Sequence, residues 1–384
     1  MTMDLRSITE VLSHLVNIES VNPELVPGGS GEEAIARHLA RSLEAAGLDV
    51  RLQEVGPGRL NVIGVLKGKG GGRNLLLNGH LDTVGVAGMD APFTPRIENG
   101  LLYGRGAEDM KGGVAAALAA VVTLAGEPRL RGDVVFAGVA DEEFKSAGTR
   151  ALLASGVRAD AAIVMEPTGL EVATAHKGFA WAEVETLGRA AHGSRPEEGL
   201  DAIALMGRVL VEIERLQESL SAGPRHALLG CGSIHASLIS GGQELSSYPA
   251  QCRLSLERRL VPGEDGSTLH RELQHIVAKL GVEDPRFKAR ITSGYWAQAL
   301  ETPREAAIVQ SLARAAQSVM GREARFGTQS FWTDAALLSE AGIPSVLFGP
   351  GGAGLHSTSE YVRLDHVLQC AETLAACARD FCGA

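Results

Sequence analysis

Apolar residues at Leu5, Ile8, Leu12, Leu15 and Val16, and again at Ile35, Leu39 and Leu43 behind the acidic GEEA stretch, recur every three or four positions. That spacing predicts two amphipathic helices near the start of the chain. Short apolar runs then follow: LNVIGVL, NLLLNG, DVVFAGV, AAIVME and SVLFG, bounded by Gly, Asp or charge and interleaved with Ala-rich stretches such as GGVAAALAAVVTLA. Such runs between helical stretches predict an α/β fold whose mainly parallel sheet is covered by helices. Between Lys177 and Arg290 the pattern changes to alternation, in FAWAEVETLG and CRLSLERRLV, around helical stretches at LDAIALMGRVLVEIERL and LHRELQHIVAKLG. An inserted α+β domain is therefore expected at 177–290, with 1–176 and 291–384 forming the other domain. Leu364, Val367, Leu368, Ala371, Leu374, Ala375 and Ala378 predict a closing helix.

At 384 residues the chain exceeds the usual size of one hydrophobic core, which agrees with two domains. Its 45% hydrophobic and 21% charged residues are those of a globular protein. The net charge of −10 is spread among interspersed acids and bases, without the basic stripe of a nucleic-acid binder. No apolar stretch approaches the ~18 residues of a membrane span, and the first residues read as an amphipathic helix rather than a signal peptide, so a cytoplasmic location is expected. The five cysteines, Cys231, Cys252, Cys370, Cys377 and Cys382, have no C-x-x-C spacing and are expected to be reduced.

Polar residues cluster where the apolar runs end. NLLLNG leads into His80 and Asp82, VVFAGVA into Asp141, Glu142 and Glu143, AAIVM into Glu166, and SVLFG into GPGGAGLH with His356. Residues two apart on a strand share a face, so His80 and Asp82 would point to the same side. In open α/β sheets ligands bind beyond the carboxyl ends of strands, where these side chains would converge. Asp109, in the Gly-rich GRGAEDMKGG, would stand at the same rim. Singly, each has a plainer explanation: Asp109 as a helix cap, Glu142 and Glu143 as a solvated pair, His356 as a surface histidine. Together, two histidines and several carboxylates without thiolates suit zinc or cobalt, and one carboxylate can bridge two such ions.

The ordered motifs GHLDTV, GRGAEDMKGG, ADEEF, MEP, AHGSRP, RRLVPGE and GPGGAGLHSTSEYV resemble those of the dinuclear-zinc aminoacylase, acetylornithine deacetylase and succinyl-diaminopimelate desuccinylase family, which also contains carboxypeptidases and dipeptidases. The resemblance implies a zinc-exopeptidase-like catalytic domain with an inserted dimerisation, or lid, domain. It implies that Asp109 bridges two zinc ions, for which cobalt or manganese can substitute, with His80 and Glu166 on one and Glu143 and His356 on the other. Asp82 would orient the histidine ligand, and Glu142 would be general base towards a water shared by the metals. His192, in the inserted domain, would reach the partner subunit's site in a homodimer and donate to the oxyanion. Arg259 would hold the substrate carboxylate. The Asp109–Met110 peptide would be cis. The implied reaction is amide hydrolysis of an N-acyl amino acid, with carboxypeptidase or dipeptidase chemistry on a short peptide as the alternative. Two departures bear on the substrate. Ser246 stands where relatives often have asparagine, and Phe331 and Trp332 replace a smaller stretch, as an apolar pocket wall or as core.

Other classes fit less well. GPGGAG, Gly349 to Gly354, follows a strand and matches G-x-G-x-x-G, but LHSTSEYV intervenes before any helix and no suitably placed acidic ribose partner follows about 20 residues on. A non-catalytic binding protein with this fold would usually have lost a ligand or the base, and all are present. No G-x-S-x-G elbow of a serine hydrolase occurs.

Overall fold

Asp4 starts the first helix, Leu5–Asn17, by accepting the Ser7 N–H at 2.8 Å. Ile8, Leu12, Leu15 and Val16 turn into the core, while Leu5 stays exposed at the first turn. The second helix, Glu33–Ala45, buries Ile35, Leu39 and Leu43 in the same way. These elements belong to a computed structural model that describes residues 3–383.

The chain divides into two units. The first runs up to Thr174 and takes in Thr302–Thr328 and the chain from Thr333. Its mixed α/β architecture is built on a nine-stranded sheet, ordered over most of its width Asp49–Gly56, Arg59–Leu66, Val134–Val139, Leu75–His80, Ala161–Val164, Ser345–Leu347, Val172–His176. The central four of these, from Val134–Val139 to Ser345–Leu347, are parallel, and the flanking strands pair antiparallel. Val134–Val139 and Leu75–His80 are buried at every residue, which is why they read as unbroken apolar runs.

Behind the sheet lies the helix Gly112–Ala125, apolar nearly all round and buried accordingly. A Cβ on Gly113 would stand 2.1 Å from the Met165 carbonyl oxygen, so only glycine lets this helix approach the chain just ahead of Glu166. A small second sheet, Gly352–Ala353, Tyr361–Arg363, Leu101–Tyr103, Arg96–Glu98, pairs Tyr361 with Tyr103.

The second unit comprises Ala175–Glu301 and Gln329–Trp332. Its antiparallel sheet, ordered Ser233–Gly241, Gln251–Leu260, Gly178–Leu187, Ala289–Ala297, packs against Ala202–Ala222 and Ser267–Glu283 around Val184, Met206, Val209, Leu254, Leu256 and Leu273. The expected return to the first domain at 291 cuts through Ala289–Ala297, which pairs with Gly178–Leu187 and belongs here. A register shift between Ser293 and Trp296 breaks the alternation in ARITSGYWA and hides this strand in the sequence.

Candidate metal centre

His80 is the last residue of its strand, and Asp109 follows Gly106, whose φ of 79° turns the loop ahead of the Gly112–Ala125 helix. The Asp109–Met110 peptide is cis. Glu142 and Glu143 leave Val134–Val139 through Asp141, at φ 69°, and Glu166 lies just beyond Ala161–Val164. His356 sits on the loop between Gly352–Ala353 and Tyr361–Arg363. All six belong to the first unit.

Asp109 has an imidazole on each oxygen. His80 Nε2 is 3.0 Å from Oδ1, and His356 Nε2 is 3.3 Å from Oδ2 and 3.2 Å from Glu143 Oε2. His80 Nδ1 faces the Asp82 backbone carbonyl at 2.9 Å. A carbonyl can only accept, so the neutral ring carries its proton on Nδ1 and presents a lone pair from Nε2. Lone pair then faces carboxylate, an arrangement that a cation or a proton between them resolves. Glu143 Oε1 and Glu166 Oε1 are buried without a hydrogen-bond partner. Donor atoms of His80, Asp109 and Glu143 lie within 4.8 Å of one another, as do those of His80, Glu142 and Glu166. Imidazole nitrogens and carboxylate oxygens, with open lone pairs in a buried cluster, fit divalent cations such as zinc, cobalt or manganese. Glu142 stands within the same reach as Glu166, so proximity alone does not separate base from ligand.

The charges show the same demand. Burial pushes Glu166 and Glu142 well above the usual carboxylate range, and neighbouring carboxylates add to it. Glu143 is raised by burial and by Asp109. Burial would raise Asp109 too, but His356 and His80 outweigh it and hold the group low. His356 is pushed up to about 10 by its contacts with Asp109 and Glu143.

Asp82 meets the His80 ring through its backbone carbonyl and not, as the resemblance implied, through its carboxylate. Its carboxylate is 3.7 Å from His80 Nδ1, beyond a hydrogen bond, and instead accepts the N–H groups of Glu142 at 3.1 Å and Glu143 at 3.2 Å and the Asn22 amide at 2.8 Å. Asn22 also donates to Asp141, which Arg59 joins to the buried Glu32. Asn22, Glu32 and Arg59 thus form, with Asp141, a buried tier beneath the cluster, and of the four only Asp141 was expected at the strand ends from sequence. Asp334, buried and pushed up to about 6 by burial, accepts the Thr149 hydroxyl at 2.6 Å and was missed likewise. Only chain folding brings Asn22, Glu32, Arg59 and Asp334 to this place, and none of the four has a distinctive neighbourhood in sequence.

The remaining candidates lie in the second unit. His192 is exposed, and its Nδ1 accepts the Ser194 N–H at 3.2 Å and meets the Ser194 hydroxyl at 2.7 Å. An accepting Nδ1 puts the neutral ring's proton on Nε2. Arg259 pairs with Glu257 at 2.8 Å and lies over the Phe179 ring, while its neighbour Arg258 is buried between Glu264 and Glu272. Trp332 packs edge-on against Phe179 and donates to the Gln298 carbonyl at 3.0 Å, and Phe331 is half-buried. Ser246 is exposed, and its carbonyl accepts the Gly193 N–H at 2.7 Å.

Three comparisons with known proteins bear on this cluster. Residues 76–380 match the family described as peptidase family M20/M25/M40. An acetylornithine deacetylase from Myxococcus xanthus is 33% identical over 357 residues, covering 89% of this chain and 90% of its own. An N-formyl-4-amino-5-aminomethyl-2-methylpyrimidine deformylase from Halalkalibacterium halodurans is 29% identical, with 97% and 95% covered. In fold, the chain superposes on an M20 family metallo-carboxypeptidase from Sulfolobus solfataricus with a TM-score of 0.79 at 20% identity, over 97% of this chain and 99% of that one.

Proposed function

The chain belongs to peptidase family M20/M25/M40, whose members here are metal-dependent amide hydrolases, and from that premise we propose that it removes the acyl group from an N-acyl amino acid. The observation that carries metal-dependent hydrolysis is Asp109 between His80 and His356, one imidazole on each carboxylate oxygen, and the 33% identity to an acetylornithine deacetylase supports an acyl group as what is removed. In this reading His80, Asp109 and Glu166 hold one zinc ion, and Asp109, Glu143 and His356 hold a second. When bound, such ions supply Lewis acidity, polarising the amide carbonyl and making water more acidic.

Glu142 takes the proton from the attacking water and delivers it to the leaving nitrogen. Asp82, by accepting both N–H groups of the Glu142–Glu143 pair, fixes where the two carboxylates start. The Nε2–H tautomer of His192 supports its role as donor to the developing oxyanion, an interaction worth about 3–4 kcal/mol in the transition state. Arg259 holds the substrate α-carboxylate, for which a guanidinium fork is suited. The enzyme works as a homodimer through the second unit, His192 of one subunit completing the other's site. Five free cysteines support a reducing, cytoplasmic setting. Among the described residues no helix is long and apolar enough to cross a membrane.

A panel of N-acetyl, N-formyl and N-succinyl amino acids set against dipeptides tests the substrate class. Faster turnover of an N-acyl amino acid than of any dipeptide is expected. The reverse ranking would make the protein a peptidase.

A further inference from the structure

Three loops of the first unit, after His80, around Asp109 and around His356, meet at one buried ion pair, Arg105 and Glu360. Glu360 Oε2 accepts Arg105 Nη1 at 2.6 Å and the Gly106 N–H at 3.0 Å. Its Oε1 accepts the N–H groups of Glu108 at 2.9 Å and Asp109 at 3.1 Å. The loop bearing Asp109 is thus wrapped around this carboxylate. Gly106 permits the wrap, since a Cβ there would come within 2.8 Å of Thr83 Cγ2.

Arg105 extends the junction. Its Nε donates to the Gly85 carbonyl at 3.1 Å and its Nη2 to the Ser357 carbonyl at 2.9 Å. Ser357 follows His356, and Glu360 directly precedes the strand Tyr361–Arg363, whose partner Leu101–Tyr103 leads into Arg105. Arg105 Nε, Nη1 and Nη2 and both Glu360 carboxylate oxygens are all engaged in these hydrogen bonds.

We propose that Arg105 and Glu360 are positioning residues for the cation site formed by Asp109, Glu143 and His356, holding Asp109 and His356 in place before any cation arrives. This rests on the metal-centre reading above. Two of the three ligands of that site hang on the pair. The other site depends on it only through Asp109, because His80 is set by its strand and the Asp82 carbonyl, and Glu166 follows a different strand. Losing the pair should therefore weaken one site far more than the other, a split that general loosening of the fold would not produce.

The test is calorimetric titration of metal-free protein with Co²⁺, using wild type, H356A, E360Q and R105K. H356A identifies which binding step belongs to the His356 site. In E360Q that step should weaken roughly ten- to hundredfold, the usual effect of removing an outer hydrogen-bond partner of a ligand, while the other step shifts much less. R105K keeps the charge but not the fork and should fall between E360Q and wild type. Unchanged affinities in both variants, or equal weakening of both steps through loss of fold or otherwise, would overturn the inference alone. A wild-type protein that binds no pair of cations would overturn the metal-centre reading with it.

Discussion

Glu142 and Glu143 show how much a single residue's neighbours decide. Both amides donate to Asp82, yet Glu143 Oε2 meets His356 at 3.2 Å, whereas Glu142 groups with His80 and Glu166. Glu142→Ala is expected to lower kcat by roughly 10²–10⁴-fold, the range for losing a general acid–base, with metal content close to wild type by elemental analysis. Glu143→Ala should lose metal instead. Equal metal loss in the two variants would erase the distinction between base and ligand. Beneath them, Arg59 stands between Glu32 and Asp141, all buried. Arg59→Met leaves two carboxylates without their counter-charge and should destabilise by about 3–5 kcal/mol, read as a lower urea midpoint; an unchanged midpoint would mean that solvent already serves these groups. The sequence announced the cluster itself, since His80, Glu143, Glu166 and His356 follow apolar runs in recognisable motifs. It did not announce Asn22, Glu32, Arg59, Arg105 or Glu360. Asn22, Glu32 and Arg59 are ordinary polar residues in sequence, whereas Arg105 and Glu360 lie within the GRGAEDMKGG and GPGGAGLHSTSEYV motifs but pair across 255 positions, which no local pattern reveals.

At the scale of elements, the site is a product of parallel strands ending at one edge, with a helix pressed against them from behind. Long runs such as Leu75–His80 were legible because strands buried on both faces need no alternation. The strand Ala289–Ala297 was not, because its register shift spoils the period that marks a half-buried strand. Nor does any sequence signal assign Gln329–Trp332 to the second unit, since four residues carry no period. The helix Gly112–Ala125 and the chain leading to Glu166 touch through Gly113. Gly113→Ala forces backbone apart at the Met165 carbonyl, and should cost about 1–3 kcal/mol or more. A thermal midpoint equal to that of wild type would show that this contact tolerates a methyl group.

For the whole molecule, the sequence pattern separated an α/β portion from an inserted α+β one, and the structure contains both as distinct units. Surface pairing of subunits leaves no periodic trace in one chain, and the proposed homodimer rests on the role proposed for His192. Mixing inactive His192→Ala and Glu142→Ala proteins under conditions of verified subunit exchange should restore part of the activity. No recovery would confine His192 to its own chain or to no role. The proposed function requires catalysis by a pair of cations held around Asp109. Its most direct test is to strip the protein with a chelator, titrate Zn²⁺ or Co²⁺ back, and follow bound metal and hydrolysis of an N-acetyl amino acid in the same samples. Hydrolysis should vanish in the stripped protein and return in step with metal bound, reaching its plateau as the cation pair fills. Full hydrolysis by protein shown to be metal-free would contradict the proposed function.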